Sequence, residues 1–409
     1  MTRDSILIVN SVADDPFAID VAHHFGQASE ISDLISLKLF ANSEFCPRFI
    51  SIDDETDTAN IGDGLRGKSV VIVNTCGVGN TRNALAMRLF LVARAAKDNG
   101  AGRVILVEPD LFYSAQDRGP RPEHGEVAFA RDLKDRKKFD GQPFSSDLYS
   151  KLLHASGVDE VVTVHNHSIS VQRLFAREFN GRFYNLSPAE LYCDYLLRHE
   201  INHLEEPGHG FLICAPDAGA TPFATEVYDR LQDSFEHLLL KPAIQLLTME
   251  KVRSGERKVA IHPAATSPTQ AAGVRGQDVI VFDDMVRTGH TIRECCHVLK
   301  ELGARRVVYV VTHFHSSDEV KENLNDPAID EIITTNTLPL VLNRDMQGRL
   351  RKKMLVLKIE KWIASFLLGT FVDSALVPET PPYAIDISSK NPRWLPHVNL
   401  KGSPGGTQF

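Results

Sequence analysis

Eight short, largely apolar runs recur along the chain: Ile6 to Asn10, Val70 to Asn74, Val104 to Val107, Val161 to Val164, Phe211 to Cys214, Val279 to Phe282, Val307 to Val311 and Ile332 to Thr335. Each is rich in β-branched residues and lacks the apolar–polar alternation of a half-exposed strand. Such strands must be covered on both faces, and amphipathic helical patterns lie between them. The combination calls for parallel sheets flanked by helices. A chain of 409 residues is two to three times the usual domain length. The expected fold is therefore α/β, with two tandem doubly wound parallel-sheet domains.

The clearest unit runs from Val279 to Val311. Its strand, Val279-Ile280-Val281-Phe282, ends in Asp283-Asp284, and a helix follows in which Ile292, Cys295, Cys296, Leu299 and Leu302 keep helical spacing up to a stop at Gly303. A similar strand, turn and helix is readable from Val70 to Asn99, with Asn80 or Thr81 as N-cap. Three stretches resist assignment to compact elements and are expected as long loops: Arg118 to Gly141, Ser254 to Gln277 and the Pro-rich region after Val377.

Charge excludes one class of partner. Lys and Arg number 45 against 53 Asp and Glu, so bulk attraction of nucleic acid is not expected. The basic cluster Lys134, Arg136, Lys137 and Lys138 is interrupted by acid and reads as a solvated loop. The six cysteines show no C-x-x-C pairing and mostly sit in apolar segments, which suits buried thiols in a reducing compartment. No apolar run approaches the roughly 20 residues of a membrane helix. The chain enters a strand directly after Met1, so no membrane association is expected and the cytoplasm is the expected address.

Ligands of parallel sheets gather at the carboxyl ends of strands, where a helix N-terminus offers unpaired N–H groups to anions. Asp283 through Thr291 occupies such a place. Arg287, Thr288, Gly289, His290 and Thr291 supply a cation, two hydroxyls and a glycine for a phosphate monoester, while Asp283 and Asp284 suit ribose hydroxyls or a water-bridged magnesium ion. Alone, the same residues also describe an ordinary turn with capping acids. Lys251 and Arg253, two apart in an extended segment, share a face and suit a developing phosphate charge, although a solvated surface is the commoner place for such a pair. His165 and His167 share a face if their strand continues and are candidate ligands of an ion or a phosphate; polar histidines at a strand end fit as well. Asp217, in a Pro-Asp-Ala-Gly turn, suits magnesium or an Asx turn. Phe40 offers adenine a stacking face beside Asn42 and Glu44, although core packing is the commoner fate of a Phe.

In serial order these segments resemble one family. Val279 to Thr291 is similar to the phosphoribosyl pyrophosphate motif shared by type I phosphoribosyltransferases and ribose-phosphate pyrophosphokinases. Phe40-Ala41-Asn42-Ser43-Glu44 resembles the pyrophosphokinases' adenine loop and Tyr113-Ser114-Ala115-Gln116-Asp117-Arg118 their ATP segment. His165-Asn166-His167 resembles a metal-binding Asp-x-His, Ala215 to Gly219 a Ser-Pro-Asp-x-Gly turn, and Lys251-Val252-Arg253 a catalytic Lys-x-Arg; Thr312-His313 and Thr335-Asn336-Thr337 also match. The resemblance implies a phosphoribosyltransferase-like fold and magnesium-dependent transfer of diphosphate from ATP to ribose 5-phosphate. It assigns Phe40, Asn42, Glu44, Gln116, Asp117 and Arg118 to ATP and Asp283, Asp284, Arg287, Thr288, Gly289, His290 and Thr291 to the ribose phosphate. Lys251 and Arg253 are assigned to catalysis, and His165, His167 and Asp217 to metal. A homo-oligomer is also implied.

The expected domains are 1–180 on the ATP side and 181–358 for the phosphoribosyl group, with a helix at about 359–372 packing back on the first and an extended tail over 373–409. The pattern departs at four positions: Ala115 replaces an arginine, His165 and Arg287 replace acids, and His290 replaces a glycine. These changes keep three alternatives open: a diphosphokinase for a related ribosyl phosphate, a non-catalytic regulatory relative, and a phosphoribosyltransferase. The last has no evident use for the Phe40 loop or Gln116-Asp117.

Overall fold

The structure is a computed structural model that describes residues 2–50, 58–77, 79–127, 129–199, 211–237, 244–254, 258–372 and 381–386. It divides into two compact units, one formed by residues 1–187, 337–339 and 359–382 and the other by 188–336, 340–358 and 383–409.

In the first unit, β1 (Ile6–Asn10) leads through α1 (Pro16–Phe25) and α2 (Ile31–Leu34) into a hairpin of β2 (Ile35–Leu39) and β3 (Phe45–Phe49). Then follow β4 (Ser69–Val73), α3 (Arg82–Asp98), β5 (Arg103–Val107), α4 (Leu133–Lys137), α5 (Ser145–Ser156), β6 (Glu160–Val164), α6 (Ile169–Glu178) and β7 (Phe183–Leu186). The five-stranded sheet is parallel with order β1-β4-β5-β6-β7. Every residue of β4 and β6 is buried, which is why these strands read as unbroken apolar runs. Asp15 caps α1, with Pro16 at its first position, and Thr81 caps α3 by accepting the Ala84 N–H at 3.2 Å.

The second unit comprises α7 (Ala189–His199), β8 (Phe211–Ala215), α8 (Thr221–His237), β9 (Ile244–Ser254), β10 (Lys258–Pro263), β11 (Asp278–Val286), α9 (His290–Glu301), β12 (Arg306–Phe314), α10 (Asp318–Leu324), β13 (Glu331–Thr335), α11 (Arg344–Gln347) and β14 (Met354–Lys358). The chain then contributes α12 (Glu360–Phe371), which packs against α1 in the first unit, and β15 (Ala384–Ile385), antiparallel to β14 in the second. The eight-stranded order is β10-β9-β8-β11-β12-β13-β14-β15. Its inner six strands are parallel and its two edge strands antiparallel. Cys214, Val281, Ile292, Cys295, Cys296 and Tyr309 belong to its buried core.

Several expectations require correction. The strand expected to stop at Phe282 runs on to Val286, because Asp283, Met285 and Val286 keep their register with β12. The expected loop over 254–277 contains β10 and a 3-10 turn at Ala271–Val274, since β9 turns back on itself as a hairpin. Residues 118–141 are organised by Arg131, whose guanidinium donates to the carbonyls of Gly119 (2.7 Å), Arg121 (3.2 Å) and His124 and to the Asp135 carboxylate (2.9 Å). The basic cluster lies on and just after α4, with Lys137 paired to Asp140 and Lys138 to Asp135, rather than in a loop. Within the tail, Ala384–Ile385 form a strand. All six cysteines are free thiols, and Cys193, Cys214, Cys295 and Cys296 are buried. Among the described residues no helix is long and apolar enough to cross a membrane.

Candidate active site

In the second unit β8 and β11 are neighbours although β9 lies between them in the chain, so the strand order reverses between them. Helices that leave adjacent strands in opposite directions open a crevice at the carboxyl ends. Asp217 follows β8, and Asp283 through Thr291 closes β11 and opens α9. The Asp217 turn is built by its own side chain, whose Oδ1 accepts the N–H groups of Gly219 (3.0 Å) and Ala220 (3.3 Å). Its Oδ2 accepts from Lys251 Nζ at 3.0 Å, and the two side chains are 34% and 35% exposed, accessible to a ligand.

Lys251 stands opposite Ile261 in the β9–β10 hairpin, and Arg253 lies two residues further along β9, opposite Val259. The Arg253 side chain lies outside the described residues. Asp283 and Asp284 are adjacent on β11, and the Asp284 N–H donates to Asp283 Oδ1 at 3.0 Å. Burial pushes the Asp283 carboxyl well above its ordinary range, and the negative charges of Asp284 and Asp217 add to the shift.

Beyond β11, Arg287 and Thr288 are exposed and Gly289 takes φ 82°, a left-handed turn that starts α9. No side chain caps this helix, so the N–H groups of its first turn face outward for an anion. The loop is braced from α10. Asn323 donates from Nδ2 to the Thr288 carbonyl (2.7 Å) and accepts from Arg293 (2.8 Å), and His290 Nε2 lies 3.2 Å from Glu319 Oε1.

The first unit carries the remaining candidates. Phe40 sits at the tip of the β2–β3 hairpin, 41% exposed, with Lys38 Nζ 4.9 Å from its ring centre. The tip is fixed by the Phe40 N–H on the Glu44 carbonyl (2.8 Å) and by Asn42 Oδ1, which accepts the Glu44 N–H (3.2 Å). Gln116 accepts from Ser145 at its side chain and from Ser146 Oγ at its carbonyl (2.9 Å), and Asp117 Oδ2 accepts from Ser168 Oγ (2.8 Å). Arg118 is turned into the 118–141 network, 3.2 Å from Asp135 and 4.8 Å from the Phe139 ring centre.

The two histidines do not share a face. β6 ends at Val164, His165 takes φ 47° and is buried, and His167 is exposed. The alternation of a continuing strand therefore does not apply. Among the described residues, no group of three or more His, Cys, Asp and Glu side chains is arranged to hold a metal ion.

One feature escaped the sequence reading. Glu108, just past β5 and 0% exposed, accepts from Asn74 Nδ2 (2.6 Å), the Phe112 N–H (2.8 Å) and Tyr149 Oη (3.0 Å). Burial pushes its carboxyl up to about 7. An acid directly after four apolar strand residues was the available signal. In the second unit the α10 brace had no comparable local signal, because Asn323 and Thr288 are far apart in sequence.

Residues 22–131 match the family model for the N-terminal domain of ribose phosphate pyrophosphokinase, and residues 192–342 match that for the phosphoribosyl transferase domain. Ribose-phosphate pyrophosphokinase 3 of Saccharomyces cerevisiae is 25% identical over 280 residues, covering 68% of this chain and 73% of that protein. The ribose-phosphate pyrophosphokinase of Shewanella oneidensis is 29% identical over 314 residues, covering 76% and 83%. The crystal structure of phosphoribosylpyrophosphate synthetase from Mycobacterium smegmatis shares the fold, with a TM-score of 0.64 and 22% identity over 90% of this chain and 99% of that one. With both domain models matched in order and the fold shared along nearly the whole chain, the protein belongs to the ribose-phosphate pyrophosphokinase family.

Proposed function

We propose that this protein transfers diphosphate from ATP to the anomeric hydroxyl of ribose 5-phosphate, giving phosphoribosyl pyrophosphate and AMP. The observation that carries the reading is the Lys251–Asp217 pair, in the same unit as the desolvated Asp283 carboxyl and the uncapped α9. In this reaction the C1 oxygen attacks the β-phosphorus, the bond to the bridging α–β oxygen breaks, and the hydroxyl proton leaves. Catalysis then rests on positioning and charge neutralisation. The α9 N-terminus and Thr288 would hold the 5-phosphate, and Asp283 and Asp284 the ribose hydroxyls. Lys251 would neutralise charge on the moving diphosphate, with Arg253 two residues along the same strand. In the first unit, Phe40 would stack on adenine, and Gln116 and Asp117 would hold the nucleotide.

Asp217, Asp283 and Asp284 do not form a three-ligand cluster, but their charges act on one another and would hold a magnesium ion through its bound waters, which this ion usually keeps. Such an ion supplies positive charge to the phosphates. The reading extends to a homo-oligomer in a reducing cytoplasm. One observation favours a second reading, a non-catalytic relative: at the nucleotide segment position 115 is alanine and Arg118 is committed to Asp135. Incubation with ATP, magnesium and ribose 5-phosphate tests both. Equimolar AMP and phosphoribosyl pyrophosphate support the first, whereas ATP binding without turnover supports the second.

A further inference from the structure

The carboxyl ends of three adjacent strands in the first unit are tied by one buried polar chain. Ser11, after β1, donates to Asn74 Oδ1 (2.6 Å); Asn74, after β4, donates to Glu108; and Glu108, after β5, also receives Tyr149 from α5. The same carboxylate accepts the Phe112 N–H, the start of the turn that leads to Gln116 and Asp117. Phe112 is 1% exposed, and Tyr113 takes φ 59° with its hydroxyl on Asn83 Oδ1 (2.6 Å). The Gln116 N–H then closes on the Tyr113 carbonyl at 3.0 Å. Glu108 therefore sits at the root of the segment that the proposed function assigns to ATP.

The groups facing Glu108 are Tyr149 from α5, Asn74 after β4, the Phe112 N–H, Arg82 from α3 and Cys76 from the turn before α3, with Asp110 behind Arg82. Arg82, the cation of this group, is engaged by Asp110, so Glu108 is held by neutral donors. The ionised carboxylate can accept all three. A proton on it converts an acceptor into a donor, and with Glu108 fully buried no bulk water replaces the lost bond.

We propose that Glu108 is a positioning residue for the nucleotide segment: its carboxylate, held between Asn74, Tyr149 and the Phe112 N–H, sets the turn that presents Gln116 and Asp117, and neutralising it loosens that turn. This rests on the ATP reading above. The ionised form binds ATP better, and because the carboxyl is pushed up to about 7 the change falls near neutral pH. Losing the charge-assisted character of the Phe112 bond weakens ATP binding by about three- to tenfold.

The test is calorimetric titration of the full-length protein with ATP, and separately with ribose 5-phosphate, across neutral pH, for the wild type and Glu108→Gln. In the wild type, ATP affinity falls as pH drops through about 7 while ribose 5-phosphate affinity holds. Glu108→Gln sits at the low-pH ATP affinity throughout that window. Amide exchange of residues 112–117 in the unliganded proteins gives a second readout, faster in Glu108→Gln at alkaline pH. Equal pH dependence in both proteins, or equal loss of both ligands in the variant, overturns the role of Glu108 and leaves the ATP reading standing. No ATP binding at any pH, with unchanged exchange, overturns both.

Discussion

Replacing Glu108 by Gln should make stability diverge from the wild type with pH, and the size of the divergence follows from burial. The side chain is 0% exposed and its carboxyl is pushed from an ordinary value of 4.5 to about 7 by desolvation. Because the folded protein holds this proton more tightly than the unfolded chain, the contribution is full below about pH 4.5 and is lost as pH rises through 7. At about 1.36 kcal/mol per unit, the loss between about pH 5 and pH 8 comes to roughly 2.5 kcal/mol. A glutamine has no charge to desolvate, so it escapes this loss while matching the carboxylate in shape. For a unit of this size the difference corresponds to a relative Tm gain of roughly 5–10 °C for Glu108→Gln at the alkaline end. Thermal melts of both proteins at several pH values measure it, and subtraction removes every other titrating group. Parallel curves across the window would refute the reasoning, since they would mean that the buried acid does not titrate there.

Lys251→Ala should lower kcat by about a hundredfold with little change in ATP affinity, as loss of a transition-state cation does. Its pair with Asp217 is about one-third exposed on each side, so a melt should move by no more than about 1 kcal/mol; equal losses in binding and turnover would contradict the role. Asn323→Ala should raise the KM for ribose 5-phosphate by about tenfold and leave that for ATP alone, because it releases the Thr288 carbonyl at 2.7 Å; steady-state kinetics with each substrate varied checks this. Phe40→Ala should leave the melt within about 0.5 kcal/mol, given the ring's 41% exposure, while weakening ATP binding; Phe40→Leu should restore less of that binding than Phe40→Trp in a titration with ATP.

The eight apolar strands were legible because burial on both faces removes alternation, and each of them forms. The two hairpins were not. β2 and β3 carry Lys38, Pro47 and Arg48 on a half-exposed pair, and their identity depends on pairing with each other. The candidate phosphate loop could be picked out because its donors and acids fall within nine consecutive residues. Glu108 could not, because its partners Asn74 and Tyr149 lie 34 and 41 residues away and meet it only in the folded sheet. The shared face of the histidine pair was conditional on the strand continuing, and a single left-handed residue at His165 breaks that two-residue period.

The two units solve the same problem differently, and strand order explains why. In the second, reversal between β8 and β11 forces helices apart and leaves a crevice whose position is fixed by topology, so Asp217, Asp283 and the α9 N-terminus need little beyond the strands to place them. In the first, the order β1-β4-β5-β6-β7 never reverses, and no crevice follows from the winding. Its candidate nucleotide residues therefore stand on a hairpin tip and on a loop, elements that strand pairing alone does not fix. Something must tie that loop to the sheet. The Ser11–Asn74–Glu108 chain across three strand ends does so with polar groups buried where an apolar filling would have been the cheaper core. A buried acid that costs stability above neutral pH yet holds the turn bearing Gln116 and Asp117 is understandable as the root of a binding segment, and is hard to account for as packing alone.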